Sequence, residues 1–211
     1  DHAVLACTME RFIHWDASSR RLVTRPIKGT IRREPLDDGA SARLRADPKE
    51  QAEHSMIVDL MRNDISRVAE IGSVRVDAPL VVEPFTGLYH LVSTVSCVTR
   101  AELGLREVLE ATFPPGSVTG APKIRALEII EALEKHPRGV YCGALGFIDH
   151  DGGLSLAVAI RTAVVRDDEV HYWAGGGIVE ASDPDREVAE TELKARVFLD
   201  AVSSIRGDQD E

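Results

Sequence analysis

The stretch EVHYWAGGGIVEASDPDREVAETELKA (169–195) contains the succession of elements that decides the fold class. Residues 169–174 are predicted to form a strand, and three glycines follow at 175–177. Asp183 then precedes Pro184, and these are the cap and first residue expected of a helix that continues to about residue 205. A strand that passes through a glycine segment into a capped helix indicates a fold that mixes both element types.

Outside this stretch, strands and helices also alternate. Predicted strands occupy 3–14, 21–25, two segments of 72–99 around the turn 84–87, 140–149 and 154–165. Predicted helices occupy 48–68, 105–112 and 121–135. The segment 26–30 is expected to break the second strand, and the charged segment 31–46 is predicted to be a loop. This order predicts a mixed α+β fold with a mainly antiparallel sheet.

The composition limits the classes of function. A formal net charge of −10 argues against binding to a nucleic acid backbone, which needs a basic surface. No stretch reaches the roughly 20 apolar residues of a membrane span. Three cysteines without paired spacing are expected to be reduced, as in a cytoplasmic protein. The chain starts without Met inside a predicted strand, so we expect it to be part of a longer protein.

Two pairs of glutamates have the spacing of one helical turn. Glu50 and Glu53 lie near the start of one predicted helix, and Glu187 and Glu190 lie in the last helix. Residues i and i+3 share a helix face, so each pair points two carboxylates in one direction. Two such helices side by side would form an all-oxygen site suited to magnesium. Spacing alone leaves open the alternative that these are exposed residues that favour the helix dipole.

Four further features have both a functional and a structural interpretation. Gly175–Gly177 could let backbone amides approach an anion, or could form a plain turn. Lys28 could act as a nucleophile if partly buried, although a solvated surface lysine is the commoner case. His90 lies in an apolar strand, where a core histidine with a satisfied hydrogen bond is the default. Arg161 interrupts an apolar strand and must meet an anion or a carboxylate, which a substrate could supply.

Seven blocks of the chain, in order, resemble the chorismate-binding family, which includes anthranilate, aminodeoxychorismate, isochorismate and salicylate synthases. They are PIKGT (26–30), EHSMIVDLMRNDI (53–65), HLVSTV (90–95), FPPGSVTGAPKIRALEII (113–130), YCGALGF (141–147), AIRT (159–162) and GGGIVEASDPDREVAETELKA (175–195). The resemblance implies an α/β sandwich with a largely antiparallel sheet and packed helices. Because such enzymes are more than twice as long, residues 1–211 would be the C-terminal portion of the catalytic domain. A companion N-terminal half would cover the apolar face that half a sandwich exposes.

The resemblance implies magnesium as the cofactor and a role for each glutamate. Glu53 and Glu190 would be direct ligands of the metal. Glu50 and Glu187 would complete the site through water. The metal would hold the ring carboxylate of chorismate.

The resemblance also implies the substrate contacts. His90 would line the ring pocket, and Lys194 would lie near the ring carboxylate. Tyr141 and Arg161 would hold the enolpyruvyl carboxylate. The remaining contacts would come from Gly29, Thr30, Gly175, Gly176 and Gly177.

Two residues bear on the reaction that the resemblance implies. Glu10 matches the general acid that acts on the departing ring hydroxyl, although Thr8 and Met9 stand where the family block has Ser-Pro. Lys28 stands where aminodeoxychorismate synthases have a lysine and anthranilate synthases usually have alanine. In the first group the lysine attacks ring carbon 2 before ammonia adds at carbon 4. A separate glutamine amidotransferase would supply the ammonia.

The resemblance therefore favours component I of an aminodeoxychorismate synthase, in p-aminobenzoate and folate biosynthesis. Two alternatives remain open. One is component I of an anthranilate synthase, which aminates carbon 2 and releases pyruvate. The other is a non-catalytic fragment that binds chorismate without turnover.

Overall fold

The computed structural model describes residues 2–33, 39–85, 87–180 and 182–207, with the side chains of the last helix described to residue 204. Within these ranges the strands are β1 (His2–Ala6), β2 (Arg11–Asp16), β3 (Arg21–Arg25), β4 (Ile27–Arg32), β5 (Arg75–Phe85), β6 (Leu88–Val98), β7 (Ala144–Ile148), β8 (Leu154–Val158), β9 (Thr162–Arg166) and β10 (Glu169–Tyr172). The helices are α1 (Ala40–Ala46), α2 (Pro48–Ser66), α3 (Leu105–Thr112), α4 (Lys123–Leu133) and α5 (Pro184–Gly207), with a 3₁₀ turn at Gly116–Val118. Thr86 of the predicted turn and residues 34–38 of the predicted loop lie outside the described residues.

The described strands form two antiparallel sheets beside the helices, which confirms the predicted α+β class. The chain divides into two compact units. The central unit comprises Met9–Pro137 and Ala144–Val158, and the terminal unit comprises Asp1–Thr8, Arg138–Gly143 and Ala159–Glu211. Among the helices in these ranges, none has the length and apolar character needed to cross a bilayer.

β6 pairs with three strands of the larger sheet, whose order is β4-β6-β3-β2-β8-β7 with β5 also paired to β6. Its sequence, LYHLVSTVSCV, is rich in the β-branched residues that suit a strand covered on both faces. Leu91, Val92 and Val95 are at most 2% exposed. β6 therefore provides a rigid, buried reference against which β3, β4 and β5 are aligned.

α2 begins where the sequence predicts it, because Asp47 caps it. The Asp47 carboxylate accepts hydrogen bonds from the backbone N–H groups of Lys49 and Glu50, at 2.9 and 3.1 Å. Pro48 at the first helical position has no N–H group to leave unpaired. α2 packs against β6 and β4. Side chains near its start therefore lie beside the strand that contains PIKGT.

The terminal unit has β9 as its middle strand, between β1 and β10. Ala163 of β9 is opposite both Leu5 and Tyr172 and is 2% exposed. α5 belongs to the same unit, and the ring of Phe198 lies parallel to that of Tyr172 with the centroids 4.3 Å apart. This stack attaches α5 to the strand that precedes the three glycines.

Two predicted strands are each divided in the structure. Residues 3–14 form β1 and β2, and residues 154–165 form β8 and β9. β1 pairs with β9 in the terminal unit, whereas β2 pairs with β8 in the central unit. The second break includes Arg161, whose φ of 49° is incompatible with an extended strand. Apolar residues continue on both sides of each break, so the pattern alone does not reveal them.

The expected break after the second strand is confirmed, because β3 ends at Arg25 and Pro26 separates it from the next strand, but the sequence did not predict that Ile27–Arg32 would form β4. This strand pairs with β6 and has an irregularity between Lys28 and Thr30. Gly29 occupies that irregularity with a φ of 77°, a conformation that glycine adopts without a Cβ clash. Lys28 and Gly29, which the sequence indicates to lie at a strand end, thus lie at a bulge inside β4.

The prediction of a loop over 31–46 is also wrong at its C-terminal end, where Ala40–Ala46 form α1. α1 buries Ala40 and Leu44 among charged and small neighbours. Two buried positions in a seven-residue helix are too few to produce a recognisable helical period. Tertiary contacts with the sheet therefore stabilise a helix that the sequence pattern does not indicate.

Candidate active site

The β4 bulge and β6 bring together three of the predicted site residues. Thr30 is paired with His90 across the two strands, and Oγ1 of Thr30 lies 2.9 Å from Nδ1 of His90. The carbonyl oxygen of Gly29 lies 3.4 Å from the same nitrogen. His90 is 2% exposed. The bulge thus fixes the orientation of a buried imidazole and brings Gly29, Thr30 and His90 together.

Glu10 immediately precedes β2 and is 7% exposed. Burial raises the pKa of this carboxyl, and the Ser117 hydroxyl, the charge of Lys28 and the Ile27 backbone oppose the rise. A buried carboxyl whose pKa is raised retains a proton to a higher pH than an exposed one. That property suits a general acid.

Lys28 is half-buried in β4 and influences a second buried group besides Glu10. Burial, together with the charge of Lys28, lowers the pKa of His54 to about 4. His54 is fully buried in α2, and its Nε2 lies 2.7 Å from Oγ of Ser93 in β6. The charge of Lys28 therefore acts on both a buried carboxyl and a buried imidazole of the central unit.

The first glutamate pair lies on α2 beside the same bulge. A Cβ atom built on Gly29 would come within 2.9 Å of Oε2 of Glu50. Glu53, one turn further on, lies 3.7 Å from Nζ of Lys49. The half-buried carboxylates of Glu50 and Glu53 thus share the face of α2 that the spacing predicts. The carboxylate of Glu50 lies against Gly29 of β4.

The second glutamate pair lies on α5 beside the glycine segment. A Cβ atom on Gly176 would come within 2.9 Å of Oε2 of Glu187. The other oxygen of Glu187 accepts a hydrogen bond from Oγ of Ser182 at 2.7 Å. In each unit, therefore, the first glutamate of the pair lies against a glycine. A side chain at that glycine position would displace the glutamate carboxylate.

Lys194 connects the glycine segment with the other glutamate of α5. Its Nζ lies 2.6 Å from Oε1 of Glu190 and donates to the carbonyl oxygen of Gly175 at 3.1 Å. A Cβ atom on Gly175 would come within 2.7 Å of the hydroxyl of Tyr141. Gly175, Tyr141, Glu190 and Lys194 are thus adjacent within the terminal unit.

Arg161 follows Ile160 at the break between β8 and β9. Its φ is 49°, and its carbonyl oxygen accepts a hydrogen bond from the N–H of Cys7 at 3.0 Å. Cys142, next to Tyr141, also has a positive φ of 65°. A non-glycine residue in this region costs on the order of 1–3 kcal/mol, and such strain is concentrated at functional sites. Both residues predicted to hold a carboxylate are therefore at or next to a strained backbone position.

The donor chemistry of the two glutamate pairs fits magnesium, which prefers carboxylate oxygen and often has only one or two direct protein ligands. The pairs belong to different compact units, one to each. Within the described ranges, no three side chains of the His, Cys, Asp and Glu types are grouped to hold a metal ion. The convergence of Glu53 with Glu190 therefore remains a prediction.

Sequence reasoning missed two buried polar pairs of the central unit. The His54–Ser93 pair joins α2 to β6, and the N–H of Leu80 also donates to the Ser93 hydroxyl at 3.0 Å. Lys123 of α4 contacts Asp64 of α2 at 2.5 Å. His54 occurs three residues before the buried Ile57, a spacing that places it on the buried face of α2.

Comparison with known proteins identifies relatives over nearly the whole chain. Residues 1–200 match the family described as chorismate binding enzyme. The chain is 46% identical over 194 residues to anthranilate synthase component 1 of Aquifex aeolicus, covering 90% of this chain and 39% of that protein. It is 45% identical over 200 residues to aminodeoxychorismate synthase component 1 of Escherichia coli (strain K12), covering 93% and 44%.

A solved structure supports the same assignment. The crystal structure of anthranilate synthase component I from Streptococcus pneumoniae matches with a TM-score of 0.83 and 39% identity, covering 93% of this chain and 43% of that chain. The chain thus spans less than half the length of these relatives. Both synthase types are matched at similar identity.

Proposed function

The chain belongs to the chorismate-binding enzyme family, and from this we propose that it carries the catalytic residues of component I of an aminodeoxychorismate synthase. The proposed reaction is the amination of chorismate at ring carbon 4 with ammonia. The observation that supports it most directly is the position of Lys28. This lysine is half-buried in β4, and its charge affects the pKa values of Glu10 and His54.

In the proposed reaction, the neutral amine of Lys28 attacks ring carbon 2. The ring double bond shifts, the bond from carbon 4 to its hydroxyl breaks, and Glu10 donates the proton that makes the leaving group water. Ammonia then attacks carbon 4, the double bond returns, the amine of Lys28 leaves carbon 2, and the ammonium group formed at carbon 4 returns a proton to Glu10. The sum is chorismate plus ammonia giving aminodeoxychorismate plus water.

Magnesium is the proposed cofactor. Glu53 and Glu190 would bind it directly, and Glu50 and Glu187 would do so through water. When bound, the metal would neutralise the ring carboxylate of chorismate and withdraw charge from the ring. The contact of Glu50 with Gly29 supports a metal site next to β4, whose residues Gly29 and Thr30 are proposed to bind the substrate.

The remaining substrate contacts are proposed on each unit separately. In the central unit, Gly29, Thr30 and His90 would line the ring pocket. In the terminal unit, Tyr141 and Arg161 would hold the enolpyruvyl carboxylate, and Lys194 would lie near the ring carboxylate. The backbone of the glycine segment, Gly175, Gly176 and Gly177, would contact the substrate.

The proposed partners are a glutamine amidotransferase that delivers ammonia and a segment equivalent to the unmatched part of the relatives. Exposed apolar side chains on α4 and β7 support the second partner: Ile124 is 76% exposed, Leu133 74% and Phe147 65%. Such a surface is unusual for a complete monomer. We propose cytoplasmic action, since the chain's three cysteines are present as thiols.

Anthranilate synthase component I is the second candidate. It is supported by the 46% identity to the Aquifex aeolicus enzyme, against 45% to the Escherichia coli aminodeoxychorismate synthase. A third possibility is a non-catalytic fragment that binds chorismate without turnover. The first two candidates release different products, and the third releases none.

The deciding experiment is incubation of the full-length protein with chorismate, magnesium and an ammonium salt, with product analysis by chromatography and fluorescence. The proposal predicts aminodeoxychorismate, which becomes p-aminobenzoate only after a lyase is added. Fluorescent anthranilate formed without a lyase would establish the second candidate. Binding of chorismate in a calorimeter without any product would favour the third.

Substitution of the lysine tests the covalent step. Lys28→Ala should abolish carbon 4 amination while retaining chorismate binding. The control is Lys135→Ala, which removes an exposed lysine after α4 and should leave the rate unchanged. A Lys28→Ala protein with the wild-type rate would rule out the covalent adduct.

A further inference from the structure

Trp173 lies between β10 and the glycine segment, and its ring contacts an aromatic side chain of the proposed site. Its indole is nearly parallel to the ring of Tyr141, with an interplanar angle of 12° and the centroids 6.4 Å apart. His171 lies on the same indole at 5.9 Å and 26°. These separations lie within the range of attractive offset stacking. Three rings in the terminal unit thus form one stacked group.

The hydroxyl end of Tyr141 is confined by Gly175. A Cβ atom on Gly175 would come within 2.7 Å of Oη of Tyr141. The carbonyl oxygen of Gly175 is itself held by Nζ of Lys194 at 3.1 Å. The phenol group therefore lies against the backbone of the glycine segment and has little room to move in that direction.

The backbone of Tyr141 is fixed by its neighbours. Its N–H donates to the carbonyl oxygen of Arg138 at 3.0 Å, and the N–H of Cys142 donates to that of Ala159 at 2.9 Å. With the backbone held, the direction of the phenol depends on the side-chain torsions alone. The indole face of Trp173 restricts those torsions.

We infer that Trp173 is a positioning residue for Tyr141: its stacking holds the Tyr141 hydroxyl against Gly175, where the substrate carboxylate is proposed to bind. The inference rests on the proposed role of Tyr141 in binding the enolpyruvyl carboxylate. Trp173 itself is half-buried and carries no charge, so its effect is exerted through the phenol. Loss of the stack should weaken substrate binding more than the chemical step.

The first test compares steady-state kinetics of the full-length protein with Trp173→Leu, Trp173→Phe and Tyr141→Phe. Loss of a stacking contact should raise KM for chorismate about three- to tenfold in Trp173→Leu, with little change in kcat. Trp173→Phe should restore most of the affinity, because a smaller ring can still stack. A Tyr141→Phe/Trp173→Leu double variant should be no worse than Tyr141→Phe.

The outcomes separate this inference from the proposed function. If Tyr141→Phe raises KM and Trp173→Leu does not, the positioning role is overturned while the role of Tyr141 stands. If Tyr141→Phe has a wild-type KM in an active enzyme, both the proposed Tyr141 contact and this inference are overturned. Equal losses of kcat in Trp173→Leu and Trp173→Phe would indicate a purely structural role and would also overturn it.

A second measurement does not depend on the stability of the leucine variant. The chain has two tryptophans, and the other, Trp15, is buried with its N–H donated to Oγ1 of Thr99 at 3.2 Å. In Trp15→Phe, the tryptophan fluorescence excited at the red edge of the absorption band should change as chorismate is added. The midpoint of this titration should equal the Kd measured by calorimetry. In Trp173→Phe the part of this change that comes from Trp173 should be lost, whatever other tryptophans the full-length protein contains. Unchanged emission from Trp173 at saturating chorismate would contradict the inference.

Discussion

Glu50 lies against the α-carbon of Gly29: a methyl group there would come within 2.9 Å of Oε2 of the glutamate. This contact joins α2, with its pair of carboxylates, to the β4 bulge that contains Lys28. Gly29 also has a φ of 77°. The position thus requires glycine for two separate reasons, backbone conformation and the space occupied by the carboxylate.

Gly29→Ala should therefore have two effects. The left-handed backbone should lower the free energy of unfolding by about 1–2 kcal/mol. Displacement of Glu50 should weaken magnesium binding about tenfold. Chemical denaturation measures the first effect, and calorimetric titration of magnesium measures the second.

Gly72→Ala is the matched control, because Gly72 has a φ of 79° and no atom within 4 Å of the position that a methyl group would occupy. It should lose similar stability and retain full magnesium affinity. An equal loss of affinity in both variants would mean that contact with Glu50 is not the cause.

Glu10→Gln should become more stable than the wild type as the pH rises. The folded-state pKa of Glu10 is raised by burial, so its favourable contribution is present below the unfolded-state pKa and is lost as the pH rises through the folded-state value. The difference in Tm between variant and wild type should therefore grow from acid to neutral pH. The same variant should lose activity, because an amide cannot donate the proton.

The control for Glu10 is Glu131→Gln, which changes an exposed glutamate of α4. Its Tm should follow that of the wild type at every pH. A Glu10→Gln protein that is less stable than the wild type at pH 8 would contradict the assignment of burial as the dominant effect.

Lys123→Met should strongly destabilise the protein. Nζ of Lys123 lies 2.5 Å from Oδ2 of Asp64 and also donates to the carbonyl oxygens of Thr112 and Pro114 at 2.9 and 2.8 Å. The two charged side chains are only 15% and 6% exposed. Removal of the lysine would leave a buried carboxylate, at a cost of about 3–5 kcal/mol in the free energy of unfolding.

Arg106→Met tests the same change at an exposed pair. Arg106 and Glu110 are in contact at 2.8 Å but are 82% and 62% exposed. The loss should be small compared with that in Lys123→Met, because solvent screens an exposed pair. If Lys123→Met cost as little as this, the Asp64–Lys123 pair would not be a structural link between α2 and α4.

Glu53→Gln and Glu190→Gln should each weaken magnesium binding by at least about tenfold, since each would remove a proposed direct ligand. Calorimetry or competition with manganese measures the affinity without requiring turnover. Glu192→Gln is the control, because it changes an exposed glutamate of α5 two residues away from Glu190, on a different helix face. Unchanged affinity in both ligand variants would rule out the proposed metal site.

Local sequence signals predicted the features that depend on neighbouring residues. The Asp47 cap, the start of α2 and the common face of Glu50 and Glu53 depend on residues no more than a helical turn apart. The grouping of Gly29, Thr30 and His90 was obtained from the resemblance rather than from such a signal. In the structure these three residues are adjacent because β4 and β6 pair in that register.

Other features depended on contacts between distant parts of the chain. The division of two predicted strands and the stacking of Trp173 on Tyr141 have no local signal, because each is set by the partner that packs against it. The raised pKa of Glu10 is of the same kind, since burial is a property of the folded chain.

The sequence by itself determined the family and most of the element types, because blocks, caps and helical spacing are written in consecutive residues. Only the tertiary structure decided which strands pair, that Lys28 lies in a bulge rather than at a strand end, and that Glu50 contacts Gly29. Register and burial are set by contacts between segments far apart in sequence, and the pattern of one segment does not specify its partner.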